Sequence, residues 1–299
     1  MMKHTGAGKK LPSQFCEENY EKVKEYHESL EGFAVTPLID AREIAKEAGV
    51  AKLYVKDESK RYGLNAFKAL GAAYAIGNLT KEGVDEDAVF VTATDGNHGK
   101  AVAWAASKEG HRSVVFMPKG TVKARSDAIA DIPGAEVYVT DLNYDDAVRK
   151  AKKYAEENNG ILVQDTAFPG YEDIPWDITL GYTKLAAEAL EQMNKMIPTH
   201  VFLQAGVGSM AGGVLGYLKD KLGDRCPVVS IMEATESACI YESVKADGYV
   251  AIGGSPKTIM AGLNCGEANV STLEVIRDHA SFYFKVPDYV TVDGMKALR

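Results

Sequence analysis

Along most of the chain, short apolar runs alternate with longer amphipathic runs, and this alternation limits the fold more than any other feature. Short apolar runs between turn residues are typical of buried strands, whereas the longer runs have the spacing of helices. Strands that alternate with helices indicate βαβ units and a mostly parallel sheet with helices on both faces. We therefore predict an α/β, doubly wound fold.

The individual elements follow from the same pattern. We predict strands at residues 53–55, 88–92, 113–117, 136–139, 161–163, 200–203 and 228–231. We predict helices at residues 66–79, 97–109, 144–158, 177–195 and 210–222. A chain of 299 residues is long enough for two domains, but no polar or proline-rich linker separates two halves.

Composition excludes several classes of protein. The 42 acidic residues outnumber the 34 basic ones, which argues against a nucleic-acid partner bound through a basic face. No apolar run approaches the roughly 18 residues of a membrane span, and the first 15 residues lack the apolar segment of a secretory signal. We therefore expect a cytoplasmic protein without a membrane partner. The spacing of the cysteines predicts neither a zinc site nor a disulfide framework; these are Cys16, Cys226, Cys239 and Cys265.

A glycine-rich loop at residues 204–213 follows a predicted strand and opens a predicted helix. Such a loop directs several backbone N–H groups to one point, where the helix dipole also favours an anion such as phosphate. A dinucleotide-binding pattern is also matched, by Gly206, Gly208 and Ala211. In such proteins an acid at the end of the next strand binds the ribose, and Glu233 has that position here. A third interpretation is that the glycines only permit close packing of the helix on the strand.

Three further loops carry polar groups at the ends of predicted strands or near a helix start. The first contains Asp95, followed by Asn97 and His98 between two glycines, and the second contains Asp165. Helix or turn capping would explain the acids and the amide equally well. In the third loop, Lys68 lies near a helix start among apolar neighbours. It is either an ordinary surface residue or a nucleophile whose amine has a lowered pKa.

A phosphate loop, a lysine able to form a Schiff base and an Asn-His glycine loop together suggest pyridoxal phosphate. The segments 56–68, 96–99 and 206–209 resemble the signature of the fold-type-II pyridoxal-phosphate enzymes, which include the serine/threonine dehydratases. The chain is more similar to the diaminopropionate ammonia-lyase family, which it matches also at 164–167, 204–213 and 262–267.

The resemblance assigns roles to particular residues. Lys68 would hold the cofactor covalently and move protons, and Asn97 would hydrogen-bond the phenolic oxygen of the cofactor. The phosphate would be bound by Gly206, Val207, Gly208, Ser209 and Met210. Asp95 and Asp165 would be the acids near the substrate. Related dehydratases have serine or alanine in place of Asp95, and a carboxylate there suits a substrate with a second ammonium group.

The reaction implied by this resemblance is an α,β-elimination of 2,3-diaminopropionate, a small amino acid, to pyruvate and two ammonia. A serine or threonine dehydratase is the alternative with the same chemistry, and Asp95 is the feature against it. A nicotinamide oxidoreductase would leave the loops of Lys68 and Asn97 unexplained. A non-catalytic protein that binds the cofactor is the remaining alternative.

The resemblance also implies an architecture. It predicts the tryptophan-synthase-β-like fold, with a large domain at 1–60 and 171–299 and a small inserted domain at 61–170. The family forms homodimers, and we expect one here. Family members continue beyond the position of Arg299 with further large-domain strands and a hydroxyl residue that faces the pyridine nitrogen. We therefore expect a large domain truncated at its C-terminus and weak or incomplete binding of the cofactor.

Overall fold

The computed structural model describes residues 1–4, 6, 8–94, 96–254 and 256–298. The strands are β1 Met2–Lys3, β2 Leu38–Asp40, β3 Tyr54–Lys56, β4 Val89–Ala93, β5 Arg112–Met117, β6 Ala135–Val139, β7 Gly160–Leu162, β8 His200–Gln204, β9 Val228–Ala234 and β10 Phe282–Val286. The helices are α1 Glu17–Ser29, α2 Arg42–Glu47, α3 Lys68–Glu82, α4 Asn97–Lys108, α5 Lys123–Ala130, α6 Tyr144–Glu157, α7 Asp173–Gly181, α8 Thr183–Gln192, α9 Ser209–Leu222, α10 Cys239–Lys245, α11 Val270–His279 and α12 Asp288–Ala297.

The strands form separate sheets. One sheet has the order β1-β10-β9-β8, in which β8, β9 and β10 are parallel and β1 is antiparallel. Another has the order β6-β5-β4-β7 and is parallel throughout. The prediction of a mostly parallel α/β fold is therefore confirmed. The predicted strand at 53–55 is β3, which pairs antiparallel with β2 and joins neither parallel sheet.

The β6-β5-β4-β7 sheet lies within the predicted small domain at 61–170, and β8, β9 and β10 lie within the predicted large domain. The boundaries of the two domains stay a prediction. None of the helices in the described residues is both long enough and apolar enough to cross a membrane.

Helix α3 is the central helix of the fold. Its residues 69–77 are all buried, so the helix is enclosed by other elements on every side. Gly71 lets α7 approach, because a Cβ there would lie 2.8 Å from the carbonyl oxygen of Ile178. The helix ends at Gly83, whose φ of 97° is the left-handed conformation that glycine adopts without strain. The first residue of this enclosed helix is Lys68.

The predicted helix at 177–195 is wrong in its limits and its continuity. The structure has α7 and α8 instead, with Tyr182 between them. The Thr183 hydroxyl donates a hydrogen bond of 2.6 Å to the carbonyl oxygen of Leu180, and such local bonds compete with the helical pattern. At the same point Gly181 packs against α3. Strand β10 and helices α1, α5 and α11 were not among the predicted elements.

We predict that Gly181→Ala destabilises the protein. A Cβ at position 181 would lie 2.4 Å from the carbonyl oxygen of Leu70, so α3 and α7 would have to separate. We expect the free energy of unfolding in urea to fall by about 1–3 kcal/mol.

Gly294→Ala is the matched control, because a Cβ there has no neighbour within 4 Å among the described atoms and Gly294 lies within α12. Alanine is favoured over glycine within helices, so this variant should lose no stability. Equal losses in the two variants would contradict the proposed contact between α3 and α7.

Candidate active site

Asp165 contacts residues from each of the other three loops that were singled out in the sequence. Its carboxylate forms an ion pair with the amine of Lys68, and one oxygen lies 3.9 Å from Nδ1 of His98. Its backbone carbonyl oxygen accepts a hydrogen bond of 2.6 Å from the Ser209 hydroxyl. The structure therefore brings the lysine loop, the Asn-His loop and the glycine loop together around one residue.

The sheet topology explains why two of these loops meet. From β4 the chain proceeds outward to β5 and β6, whereas β7 lies on the other side of β4. In α/β sheets the loops that follow two such strands diverge and leave a crevice, which is the usual place for a ligand. His98 follows β4 and Asp165 follows β7, so both lie at this crevice.

The Lys68–Asp165 pair is buried, with 20% of the lysine side chain and 4% of the aspartate side chain exposed. Burial by itself would raise the pKa of Asp165, but the charge of Lys68, with smaller effects from the interaction with His98 and the hydrogen bond from Lys68, lowers it to about 2. Burial would lower the pKa of Lys68, and the charge of Asp165 outweighs burial and raises it. At neutral pH the resting pair is therefore an ammonium and a carboxylate.

His98 is held in the neutral form. Burial lowers the pKa of its imidazole, and the nearby ammonium of Lys68 lowers it further against the attraction of Asp165. Its Nε2 lies 2.9 Å from the carbonyl oxygen of Val163, which places the ring proton on Nε2. Its Nδ1 is buried and has no hydrogen-bond partner among the described residues.

The glycine loop presents free backbone amides at the start of α9. Among the described residues, the N–H groups of Gly206, Val207 and Gly208 donate to no protein acceptor, and the first turn of α9 adds the N–H groups of Ser209 and Met210. Gly208 has a φ of 101°, and a Cβ there would lie 2.9 Å from the Ile240 side chain. The loop is therefore shaped to bind an anion through its backbone.

The predicted phosphate-binding residues differ in what their side chains do. The Ser209 hydroxyl already donates to Asp165, so only the backbone N–H of Ser209 is available to a ligand. The Met210 side chain is buried in the core. Asn97 is the exposed first residue of α4, and no described hydrogen bond joins it to Lys68 or Asp165. Asp95 lies outside the described residues.

Asn269 is a site residue that the sequence analysis missed. Its side-chain amide donates to the Ser209 hydroxyl at 2.9 Å and to the Asp165 carbonyl oxygen at 3.3 Å. Its backbone N–H donates to the Val207 carbonyl oxygen at 2.7 Å. Asn269 also caps α11, because its side-chain oxygen accepts from the N–H of Ser271. An asparagine before a helical run is an ordinary capping signal, and nothing in the sequence connects it to Asp165.

A buried ionic cluster anchors the segment that leads to Lys68. The guanidinium of Arg61 is fully buried and donates two hydrogen bonds, of 2.9 and 2.7 Å, to the carboxylate of Glu188 on α8. It also donates to Glu58 at 2.8 Å, and Lys56 contacts the same Glu188 at 2.8 Å. Buried charges need such complete pairing, so the cluster fixes the segment against α8.

Glu233 does not serve as a ribose-binding acid in this structure. Its carboxylate accepts hydrogen bonds of 2.8 and 2.7 Å from the N–H groups of Ile240 and Tyr241, at the start of α10. Burial raises the pKa of Glu233 to about 8, against the effect of those two bonds. The acid is therefore occupied by a helix terminus, which removes the main support for the dinucleotide interpretation.

The segment that follows Met260 lies against the glycine loop. A Cβ at Gly206 would be 3.1 Å from Sγ of Cys265 and 3.2 Å from the carbonyl oxygen of Gly262. Cys239 also lies beside Gly206, with its Sγ 3.6 Å from the Gly206 carbonyl oxygen. No disulfide joins the two cysteines in the described structure. No group of His, Cys, Asp and Glu suited to a metal ion occurs among the described residues.

A cavity of about 440 Å³ is lined by the loops that follow β5 and β6 and by residues of the segment 252–266. Lys119 and Tyr144 follow strands of the β6-β5-β4-β7 sheet, and Asn264 and Gly266 belong to the segment beside the glycine loop. Concave sites of this size are usual places for small ligands.

Comparisons with known proteins agree with these features. The family model described as pyridoxal-phosphate dependent enzyme matches residues 30–299. Diaminopropionate ammonia-lyase of Escherichia coli strain K12 is 45% identical over 302 residues, which cover 95% of this chain and 76% of that protein. The Salmonella typhimurium strain LT2 enzyme of the same name is 43% identical over 300 residues, which cover 92% of this chain and 74% of that protein.

A solved structure shows the same similarity. The crystal structure of the Escherichia coli diaminopropionate ammonia lyase in complex with an aminoacrylate-PLP azomethine reaction intermediate matches with a TM-score of 0.91 and 45% identity. The match covers 97% of this chain and 76% of that one. The chain therefore belongs to the family of pyridoxal-phosphate dependent enzymes and, within it, to the diaminopropionate ammonia-lyases.

Proposed function

We propose that the chain catalyses the α,β-elimination of 2,3-diaminopropionate, in which substrate and one water give pyruvate and two ammonia. The observation that carries the proposal is the buried Lys68–Asp165 pair, which is joined through Ser209 to a loop of free backbone amides. The similarity to diaminopropionate ammonia-lyases supports the choice of substrate.

The residues present fit pyridoxal phosphate. The amides of 206–210 and the start of α9 suit its phosphate, and a Cβ at Gly206 would crowd Cys265 and the Gly262 carbonyl on that side. Lys68 is partly exposed and supplies the amine, and Asn97 is exposed at the start of α4. When bound, the cofactor supplies an electron sink that stabilises negative charge at Cα of the substrate.

Lys68 and Asp165 have different roles in proton transfer. Asp165 keeps Lys68 in place as an ammonium in the resting protein. Lys68 must release a proton before its amine reacts with a carbonyl group or accepts the proton of Cα. We propose that Lys68 is the general base on one face of the substrate and that Asp165 balances the charge as Lys68 gains and loses a proton.

We also propose that Asp95 contacts the substrate, that the chain forms a homodimer and that it is located in the cytoplasm. The resemblance alone supports Asp95 as the acid that binds the second ammonium of the substrate and acts on the opposite face. A serine or threonine dehydratase remains the second candidate, because it would use the same lysine and phosphate loop. Release of pyruvate from 2,3-diaminopropionate and not from threonine would separate the two activities.

We predict a visible absorption band when the chain is titrated with pyridoxal phosphate, and its loss in Lys68→Ala. The band requires a covalent bond to one lysine amine, and Lys68 is the amine beside the glycine loop. Lys285→Ala is the control for reaction at other lysines, since Lys285 is 36% exposed and contacts Glu242. This control should keep the band.

Turnover of 2,3-diaminopropionate is then measured on the same preparations. Pyruvate from the parent chain and none from Lys68→Ala is the expected result. A band without turnover would favour the non-catalytic alternative. A band that persists in Lys68→Ala would overturn the assignment of Lys68.

We predict that Asp165→Asn moves the reaction of Lys68 with pyridoxal phosphate to lower pH. The substitution removes the charge that raises the lysine pKa and leaves the burial that lowers it, so the neutral amine forms at lower pH. The rate of band formation against pH measures this shift. Asp177→Asn is the control, because Asp177 is a partly buried carboxyl whose pKa burial raises to about 6, and it interacts with Asn78, ten residues after Lys68 on α3. An unchanged profile in Asp165→Asn would contradict the proposed pair.

A further inference from the structure

Tyr182 has a buried hydroxyl that the proposed mechanism does not use. The residue is 1% exposed and lies at the junction of α7 and α8. Its hydroxyl has no hydrogen-bond partner among the described residues. A buried hydroxyl without a partner is costly and uncommon in native proteins, so a partner in another state of the site is expected.

The position of the ring directs this hydroxyl toward the start of α3. The Tyr182 ring packs edge-on against Phe67, the neighbour of Lys68, with 5.4 Å between centroids. Its Cζ atom, which carries the hydroxyl, lies 2.7 Å from where a Cβ of Gly71 would be. Lys68 and Gly71 are three residues apart and share one helix face. The absence of a side chain at Gly71 therefore makes room for the phenol beside Lys68.

The groups that act electrostatically on Lys68 come from different elements. The anionic forms of Asp165 after β7, Tyr182 between α7 and α8, and Cys265 beside the glycine loop would each raise the pKa of Lys68, so all three groups lie near its amine. Lys68 in turn lowers the pKa of His98 at the start of α4. Asp165 binds the ammonium form. With that ion pair intact, the Tyr182 hydroxyl has no hydrogen-bond partner among the described residues.

We propose that Tyr182 is a positioning residue for Lys68, whose hydroxyl donates a hydrogen bond to the neutral amine once the amine has left its ion pair with Asp165. This inference rests on the proposed function of Lys68. A hydrogen bond made only outside the ion pair favours the reactive state of the amine. Burial raises the pKa of the Tyr182 phenol, so its hydroxyl remains a donor throughout the pH range of an assay.

The test is Tyr182→Phe in the full chain, which keeps the ring and its packing on Phe67. We expect kcat to fall about three- to tenfold, the typical value of one hydrogen bond, with KM unchanged because the hydroxyl does not touch the substrate. The midpoint of thermal unfolding should not fall, because the hydroxyl that is removed has no partner. Tyr283→Phe is the matched control, since the buried Tyr283 hydroxyl donates to Ile276 at 2.7 Å. That variant should unfold at lower temperature and keep its kcat.

A second measurement does not depend on turnover or on the cofactor. In the cofactor-free chain, acylation of Lys68 by acetic anhydride is followed against pH by mass spectrometry. In Tyr182→Phe the midpoint should move to higher pH by about half to one unit, because the neutral amine loses its donor.

The outcomes separate the two proposals. If the parent chain acylates Lys68 but does not consume 2,3-diaminopropionate, the proposed function fails, and the acylation midpoint still decides the role of Tyr182. An unchanged midpoint in Tyr182→Phe would overturn the positioning role. A fall in thermal midpoint with parallel changes in kcat and KM would show that the hydroxyl is only structural, which also overturns it.

Discussion

The site depends on Asp165, because one residue uses its side chain and its backbone to hold two different parts of the chain. Its carboxylate fixes the amine of Lys68 at the start of α3, and its carbonyl oxygen is bound by Ser209 and Asn269 beside the glycine loop. A shift of the Asp165 backbone would therefore move the lysine and the anion-binding amides together. Such coupling keeps a reactive amine at a fixed distance from a phosphate group, which catalysis by orientation requires.

Glycines and buried charges make this arrangement possible at the helix starts. Gly71 and Gly181 let α3 and α7 pack with their backbones close, and Gly208 lets α9 begin against the Ile240 side chain. The cluster around Arg61 then fixes the segment that precedes α3. Lys68 thus begins a helix that is enclosed on all sides, where a cation is disfavoured by both burial and the helix dipole. The charge of Asp165 is the largest of the effects that oppose burial at Lys68.

The sequence predicted the parts of the site that lie in local patterns. The strand before each loop, the helix that begins near Lys68 and the amides of 206–210 all follow from short stretches of residues. The contact between His98 and Asp165 cannot be read from a short stretch of residues, because it depends on β7 lying beside β4 and not beside β6. Asn269 and Tyr182 were missed for the same reason: each acts on a residue more than 100 positions away in the chain. The break between α7 and α8 was missed because it falls at a single residue, Tyr182, whose backbone angles are themselves close to helical.

The Lys68–Asp165 pair also sets a condition on how the site works. The lowered pKa of Asp165 stabilises the fold above its ordinary value of 3.8, and this contribution is lost as pH falls toward about 2. The raised pKa of Lys68 stabilises the fold below its ordinary value of 10.5, and this contribution is lost as pH rises through the raised pKa. Across neutral pH the pair therefore favours the ammonium, which is the unreactive form of the amine. Catalysis needs a second set of interactions that offsets this preference. The amides of the glycine loop, the neutral His98 and the buried Tyr182 hydroxyl are the groups placed to supply it.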